Sequence, residues 1–128
     1  KPMLVDSGAK LLFDHCGRPD PVAGVGQAGF AALLALADAG RACVKLSSLV
    51  KCSTQSYPYP DAWPYVLALL QAYTTQQLVW GSDWPFLRAP ERIDYGPLLA
   101  LFEHLVPDAA DRQTILIDTP QRLFGFGA

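Results

Sequence analysis

Three short apolar runs along the chain each end in polar residues, and their composition predicts strands. The first run is too short for a helix and lies between Gly8 and Gly17, which predicts a strand over residues 10–14. The second and third runs predict strands over residues 42–46 and 78–80. All three are nearly continuous in apolar residues, as expected of parallel strands that are buried on both faces.

Helical patterns fill the segments between and after these strands. Apolar residues at helical spacing predict helices over residues 26–39 and 62–76, with Gly40 just beyond the first and Asp61 as the N-cap of the second. A third helix is expected from Asp94 or Tyr95 to Leu105, and a fourth after Asp108 as its N-cap. The last short helix is expected to start at Thr119 as N-cap with Pro120 at the first helical position, and to end at Gly125.

The alternation of strands and helices predicts an α/β domain with three parallel strands and covering helices. The strands start roughly 30 to 35 residues apart, the size of a βαβ unit. A (β/α)8 barrel needs roughly 250 residues, so 128 residues would supply about half of one. The chain does not begin with methionine. We therefore expect it to start in mid-fold, to lack upstream sequence, and to end at a natural C-terminus.

Composition narrows the classes of function. A formal net charge of -2 leaves no basic surface for nucleic acid, and no apolar stretch approaches a membrane span or a signal peptide. The three cysteines show no C-x-x-C spacing, so reduced thiols in a cytoplasmic protein are expected.

Asp83 is the first candidate for chemistry because it follows the third strand between Trp80 and Trp84. In parallel α/β folds, functional residues gather at the carboxyl ends of the strands. Burial beside two tryptophans would raise the pKa of Asp83 and make it a better general base, or it could bind a metal. The alternative is a structural carboxylate that caps the following turn.

The first strand ends in a second set of candidates. His15 could polarise a carbonyl, bind a metal or relay a proton, or it could be a hydrogen-bonded structural residue. Arg18 could clamp a substrate carboxylate, or could be a surface charge. His104, in a late helix, is expected at the surface.

The second strand supplies further polar residues. Lys45 stands within an apolar strand and needs a carboxylate, water or substrate as its partner. Lys51, together with Ser47 and Ser53, could form a second anion-binding patch, the alternative being a solvated loop.

Four segments, in order, resemble the amidohydrolase superfamily: Phe13-Asp14-His15-Cys16-Gly17-Arg18-Pro19, Val44-Lys45-Leu46-Ser47, Trp80-Gly81-Ser82-Asp83-Trp84-Pro85, and Thr119-Pro120-Gln121-Arg122-Leu123-Phe124-Gly125-Phe126. Within it they are most similar to barrel hydrolases related to 2-pyrone-4,6-dicarboxylate lactonase. The resemblance implies that residues 1–128 are the C-terminal half of a (β/α)8 barrel, with its sixth to eighth strands. The first-strand His-x-His of the family would lie in the other half.

The same resemblance implies a role for each candidate. Asp83 would activate the hydrolytic water, and His15 would help to polarise the scissile carbonyl. Arg18, Lys51 and Ser47 would bind a small carboxylated substrate. Lys51 lies where lactonase relatives tend to have arginine, and Ser48 replaces a glycine often found after Lys-Leu-Ser.

The implied activity is attack of water on an acyl C–O or C–N bond, most plausibly of a lactone. His15 and Asp83 would also be the ligands if a divalent metal, Zn²⁺ or Mn²⁺, is used, whereas the lactonase branch is able to work without metal. Two alternatives stay open: a metal-dependent decarboxylase on the same barrel, and a truncated, non-catalytic fragment. The sequence sets no oligomeric state.

Overall fold

The computed structural model describes Met3 and residues 6–127, and its centre is a sheet of three parallel strands. The strands are β1 (Leu11–Phe13), β2 (Ala42–Ser47) and β3 (Leu78–Gly81), in the spatial order β1-β2-β3. Leu11 pairs with Ala42, and Ser47 pairs with Gly81. This register brings the carboxyl ends of all three strands to one edge, which confirms the predicted parallel arrangement.

Five α-helices cover the sheet in the described part of the chain: α1 (Ala28–Leu34), α2 (Trp63–Ala72), α3 (Tyr95–Leu105), α4 (Ala109–Gln113) and α5 (Thr119–Phe124). None of the described helices is long and apolar enough to cross a membrane. The Asp108 carboxylate accepts hydrogen bonds from two amide groups of α4, as predicted for an N-cap. Gly125 ends α5 in the left-handed conformation, also as predicted.

Three predictions about the helices are wrong in detail. The segment 26–39 is helical only over α1, followed by a separate 3-10 turn at Ala37–Ala39. The α2 helix stops at Ala72, because Thr74 and Gln77 form a capping box around a new 3-10 turn. Asp61 does not cap α2, since its carboxylate accepts hydrogen bonds from Ser53 and Thr54 in the preceding loop.

Thr119 is also not an N-cap. A π-helical turn (Thr114–Asp118) runs directly into α5, so Thr119 is already helical. Its hydroxyl is buried and donates to the carbonyl of Thr75, 2.9 Å away. The tertiary contact with the 3-10 turn that precedes β3 therefore replaces the local cap.

The hydrophobic core lies between the sheet and the helices. On β2, Ala42, Val44 and Leu46 are at most 1% exposed and face the helix layer. The alternate residues Lys45 and Ser47 line an open cavity on the opposite face. The two faces of β2 thus differ: one is apolar and covered by helices, and the other places the polar side chains of Lys45 and buried Ser47 beside a cavity.

Candidate functional site

The turns that follow the three strands share an unusual backbone conformation. His15, Ser48 and Asp83 have φ angles of 52°, 54° and 64°, in the left-handed region that residues with a Cβ seldom adopt. Such conformations cost of order 1–3 kcal/mol each and persist where surrounding contacts hold them, often at functional sites. They therefore indicate that functional residues lie at the carboxyl edge of the sheet.

The turn after β1 is packed tightly against α1. Gly17 has φ of +77°, and a Cβ at this position would collide with a methyl carbon of Leu33. Only glycine suits both the conformation and the close approach. This contact fixes the turn that carries His15.

The carboxylate of Asp83 is the centre of the site. Its Oδ2 accepts hydrogen bonds from Ser48 Oγ and Lys51 Nζ, both at 2.7 Å. Its Oδ1 lies 3.7 Å from His15 Nε2, and the side chains of Asp83 and His15 are 22% and 18% exposed. One oxygen is therefore held by two donors, while the other faces the imidazole.

These contacts reverse the prediction that the Asp83 pKa is raised. Burial alone would raise the pKa, but hydrogen bonds from Lys51 and Ser48 and the charges of His15 and Lys51 lower it below its ordinary value. The tryptophans do not enclose the carboxylate: Trp84 is 76% exposed, and Trp80 packs against Tyr95 and Phe102 of α3. Asp83 is accordingly ionised at neutral pH.

His15 is oriented by Ser47. Its Nδ1 lies 3.0 Å from Ser47 Oγ, and Ser47 is almost completely buried. This contact directs Nε2 toward Asp83. Ser47 was predicted to bind substrate, and in the structure its hydroxyl contacts the imidazole.

Of the remaining predicted residues, some lie in or beside the site and others lie outside the Asp83 cluster. Lys51 lies in the site, bonded to Asp83, and Lys45 pairs with Asp14 across β1 and β2 at 2.5 Å. Arg18 is exposed and makes no side-chain hydrogen bond or ion pair with any described residue. Ser53 bonds to Asp61 and Gln55 in the next loop and not to the Asp83 cluster, and exposed His104 contacts Trp63.

Ser48 is the residue that sequence reasoning missed. It was singled out only as a departure from a glycine, yet its hydroxyl donates to Asp83 across 35 sequence positions. The available signal was a second hydroxyl directly after a buried strand. An open cavity lies beside the cluster and is lined by His15, Lys45, Ser47, Asp83, Trp84 and Phe124 among others.

A profile of the family described as Amidohydrolase matches residues 7–126. The chain belongs to the amidohydrolase family. It is 37% identical to the 4-sulfomuconolactone hydrolase of Rhizobium radiobacter over 126 residues, which are 96% of the chain but 42% of that relative. The chain thus spans less than half the length of this curated amidohydrolase.

Solved amidohydrolase structures agree with the fold. The putative 2-pyrone-4,6-dicarboxylic acid hydrolase from Pseudomonas putida has a TM-score of 0.84 at 37% identity, matching 99% of the chain and 48% of that protein. An amidohydrolase from Burkholderia multivorans with bound zinc has a TM-score of 0.79 at 25% identity, matching 97% and 47% respectively. The α/β fold of the described chain thus corresponds to about half of each solved structure.

The described residues alone do not fit a catalytic zinc site. Zinc in such sites takes three protein ligands. Among residues 6–127 and Met3, no group of three or more histidine, cysteine or acidic side chains could hold a metal ion. His15 Nε2 and Asp83 Oδ1 are two candidate ligand atoms, and Lys51 already places a positive charge on the other oxygen of Asp83. The two candidate ligand atoms among the described residues therefore do not complete a catalytic zinc site.

Proposed function

We propose that the full-length protein is a hydrolase that opens the lactone ring of a small carboxylated molecule. The observation that carries the proposal is the pair formed by Asp83 Oδ1 and His15 Nε2, 3.7 Å apart beside an open cavity. Two similar proteins, a 4-sulfomuconolactone hydrolase and a putative 2-pyrone-4,6-dicarboxylic acid hydrolase, support a lactone as the substrate class.

In this proposal Asp83 is the general base. Its low pKa keeps it ionised, and Oδ1 can accept a proton from a water molecule while Ser48 and Lys51 hold Oδ2. The water oxygen attacks the lactone carbonyl carbon, the ring C–O bond breaks, and the leaving oxygen takes up a proton. The products are a carboxylic acid and a hydroxyl or enol on the opened chain.

His15 and the cations assist the reaction by position. The imidazole Nε2, held by the contact of Nδ1 with Ser47, is placed to polarise the carbonyl. The Arg18 guanidinium makes no hydrogen bond or ion pair with a described residue and can bind a substrate carboxylate in bidentate fashion. Lys51 would bind a second acid group only by loosening its hydrogen bond to Asp83, because its ammonium is already engaged.

We also propose that the chain supplies the last three β/α units of a (β/α)8 barrel in a cytoplasmic enzyme. Within the described residues, β1 and β3 each pair with β2 alone, and the matched proteins are about twice as long. The three cysteines are free, in keeping with a reducing compartment. Residues 1–128 expressed alone should lack turnover, and full activity of that fragment would contradict this arrangement.

The test of the general base is Asp83→Asn in the full-length protein, assayed on a panel of carboxylated lactones. We expect turnover to fall by at least about a hundredfold, since the amide cannot accept the proton. Asp61→Asn is the matched control, because Asp61 is also a carboxylate with a lowered pKa and several donors, but it lies outside the cluster. Near-normal turnover of the Asp83→Asn variant would refute the proposed mechanism.

A further inference from the structure

Two buried thiols lie directly behind His15 and Ser47, and the proposed mechanism does not use them. Cys16 and Cys52 are each 1% exposed, and both are free cysteines. Cys16 Sγ donates to the carbonyl oxygen of Ser47 at 3.8 Å, and Cys52 Sγ donates to the carbonyl oxygen of His15 at 3.5 Å. The thiols therefore contact the main chain of the two residues whose side chains contact each other.

Together these contacts close a ring. The imidazole of His15 contacts the hydroxyl of Ser47, the carbonyl of Ser47 accepts from the thiol of Cys16, which follows His15 in the chain, and the carbonyl of His15 accepts from the thiol of Cys52. The ring joins the turn after β1 to the end of β2 and to the 3-10 turn at Leu49–Cys52. That last turn also carries Lys51. The ring therefore includes the segments that carry His15, Ser47 and Lys51, but not β3.

The backbone held by this ring is strained. His15 and Cys16 have φ angles of 52° and 55°, consecutive left-handed residues that are not glycine. A conformation of this kind persists only where its surroundings fix it. The carbonyl of His15 receives two donors, the amide of Arg18 at 2.8 Å and the thiol of Cys52, which fixes its direction.

The interaction between the two thiols shifts their pKa values in opposite directions. Together with burial it raises the pKa of Cys16 well above its ordinary value, and it lowers the pKa of Cys52. The third cysteine differs: Cys43 is also buried, on β2, but its sulfur makes no hydrogen bond within the described part of the chain. Cys43 therefore serves as a control, because it is buried like Cys16 and Cys52 but does not hydrogen-bond to the site.

We propose that Cys16 and Cys52 are positioning residues that hold His15 and Ser47 in the geometry in which the imidazole faces Asp83. This role rests on the proposed function for its effect on turnover, but the orientation of His15 can be measured without any substrate. A catalytic group displaced by a fraction of an ångström loses much of its effect, so a weak donor in the supporting layer can matter.

The experiment compares five variants of the full-length protein: Cys16→Ala, Cys52→Ala, Cys16→Ser, Cys52→Ser and Cys43→Ala. We expect each of the two site alanine variants to lower kcat about tenfold while KM changes less than about twofold, because an interaction that orients the reacting groups has been removed. The serine variants keep a donor and should recover most of kcat. The Cys43→Ala variant should match the wild type.

The second readout is the ¹⁵N spectrum of the His15 ring, assigned with a His15→Asn variant. Both site alanine variants should shift the Nδ1 and Nε2 resonances, and the Cys43→Ala variant should not. The proposal is overturned if the alanine variants match Cys43→Ala in both readouts, or if serine restores neither. Thermal unfolding of every variant identifies any that do not fold. If an alanine variant does not fold, the serine variant at the same position tests the positioning role.

The two proposals can fail separately. If His15→Asn retains normal turnover while Cys16→Ala and Cys52→Ala still shift the imidazole resonances, the positioning role stands and the catalytic role of His15 fails. If His15→Asn is inactive and the alanine variants leave both kcat and the ring resonances unchanged, the catalytic role stands and the positioning role fails.

Discussion

The two faces of the sheet differ in polarity, although alternate residues of the same strands form them. The helix-facing side of β2 is apolar and sealed, with Val44 and Leu46 almost inaccessible to solvent. The other side carries an ion pair from Lys45 and a hydroxyl from Ser47, beside an open cavity. Close packing of apolar side chains stabilises the first face, whereas hydrogen bonds and charges give the second face its chemistry.

This difference teaches that stability and chemistry are separable along a single strand. Removing buried volume on the helix side leaves a cavity that the structure cannot fill, which costs stability. Removing a partly exposed polar group on the open side costs little stability, because water can replace the lost partner. Substitutions at neighbouring positions of β2 should therefore have unlike effects.

The largest effect on stability is expected for Leu46→Ala on the covered face. Leu46 is 1% exposed within the core, and deletion of such a side chain costs about 2–5 kcal/mol of unfolding free energy. Urea unfolding of the full-length protein measures this loss. A cost below about 1 kcal/mol would mean that the helix layer is loosely packed and the contrast between the faces is false.

Lys51→Met tests the electrostatics of the open face. Without the ammonium, the Asp83 pKa should rise toward or above its ordinary value of 3.8, so the acid limb of the kcat/KM profile should move to higher pH. A pH–rate profile measures the shift, with Lys10→Met, an exposed lysine before β1, as the control. An unmoved acid limb would show that the ammonium does not set the Asp83 pKa.

The same variant has a signed effect on stability. The folded-state pKa of Asp83 is lowered, so its ionised contacts stabilise the fold above the unfolded-state pKa. That contribution is lost as the pH falls through the folded-state value. The stability difference between wild type and Lys51→Met should therefore be present at neutral pH and vanish in acid, as unfolding at the two pH values will show.

The sequence alone predicted the framework of the fold because periodicity is a local property. The three strands, their parallel order and the Asp108 cap follow from runs of neighbouring residues, and the resemblance added the family. Asp83 and His15 were identified because each follows a strand. The structure brings them to within 3.7 Å of each other.

What the sequence did not predict depends on contacts between distant residues. The pKa direction of Asp83 was wrong because its donors, Ser48 and Lys51, are 35 and 32 positions away. The caps assigned to Asp61 and Thr119 were wrong because each side chain hydrogen-bonds to a residue outside its own helix. Left-handed backbone at His15 had no local signal, since histidine is not a residue that such turns require.

The smallest effect on stability is expected for Lys45→Met. Lys45 precedes Leu46 on β2 and lies on the open face. The Lys45 ammonium hydrogen-bonds to Asp14 at 2.5 Å and, through that bond, lowers the Asp14 pKa. Asp14 is 60% exposed, so the pair should contribute less than about 1 kcal/mol. Carboxyl ¹³C titration should show the Asp14 pKa rising toward 3.8 in the variant, while urea unfolding changes little. A loss as large as that of Leu46→Ala would show that the open face, too, holds the fold together, and the separation of stability from chemistry along β2 would fail.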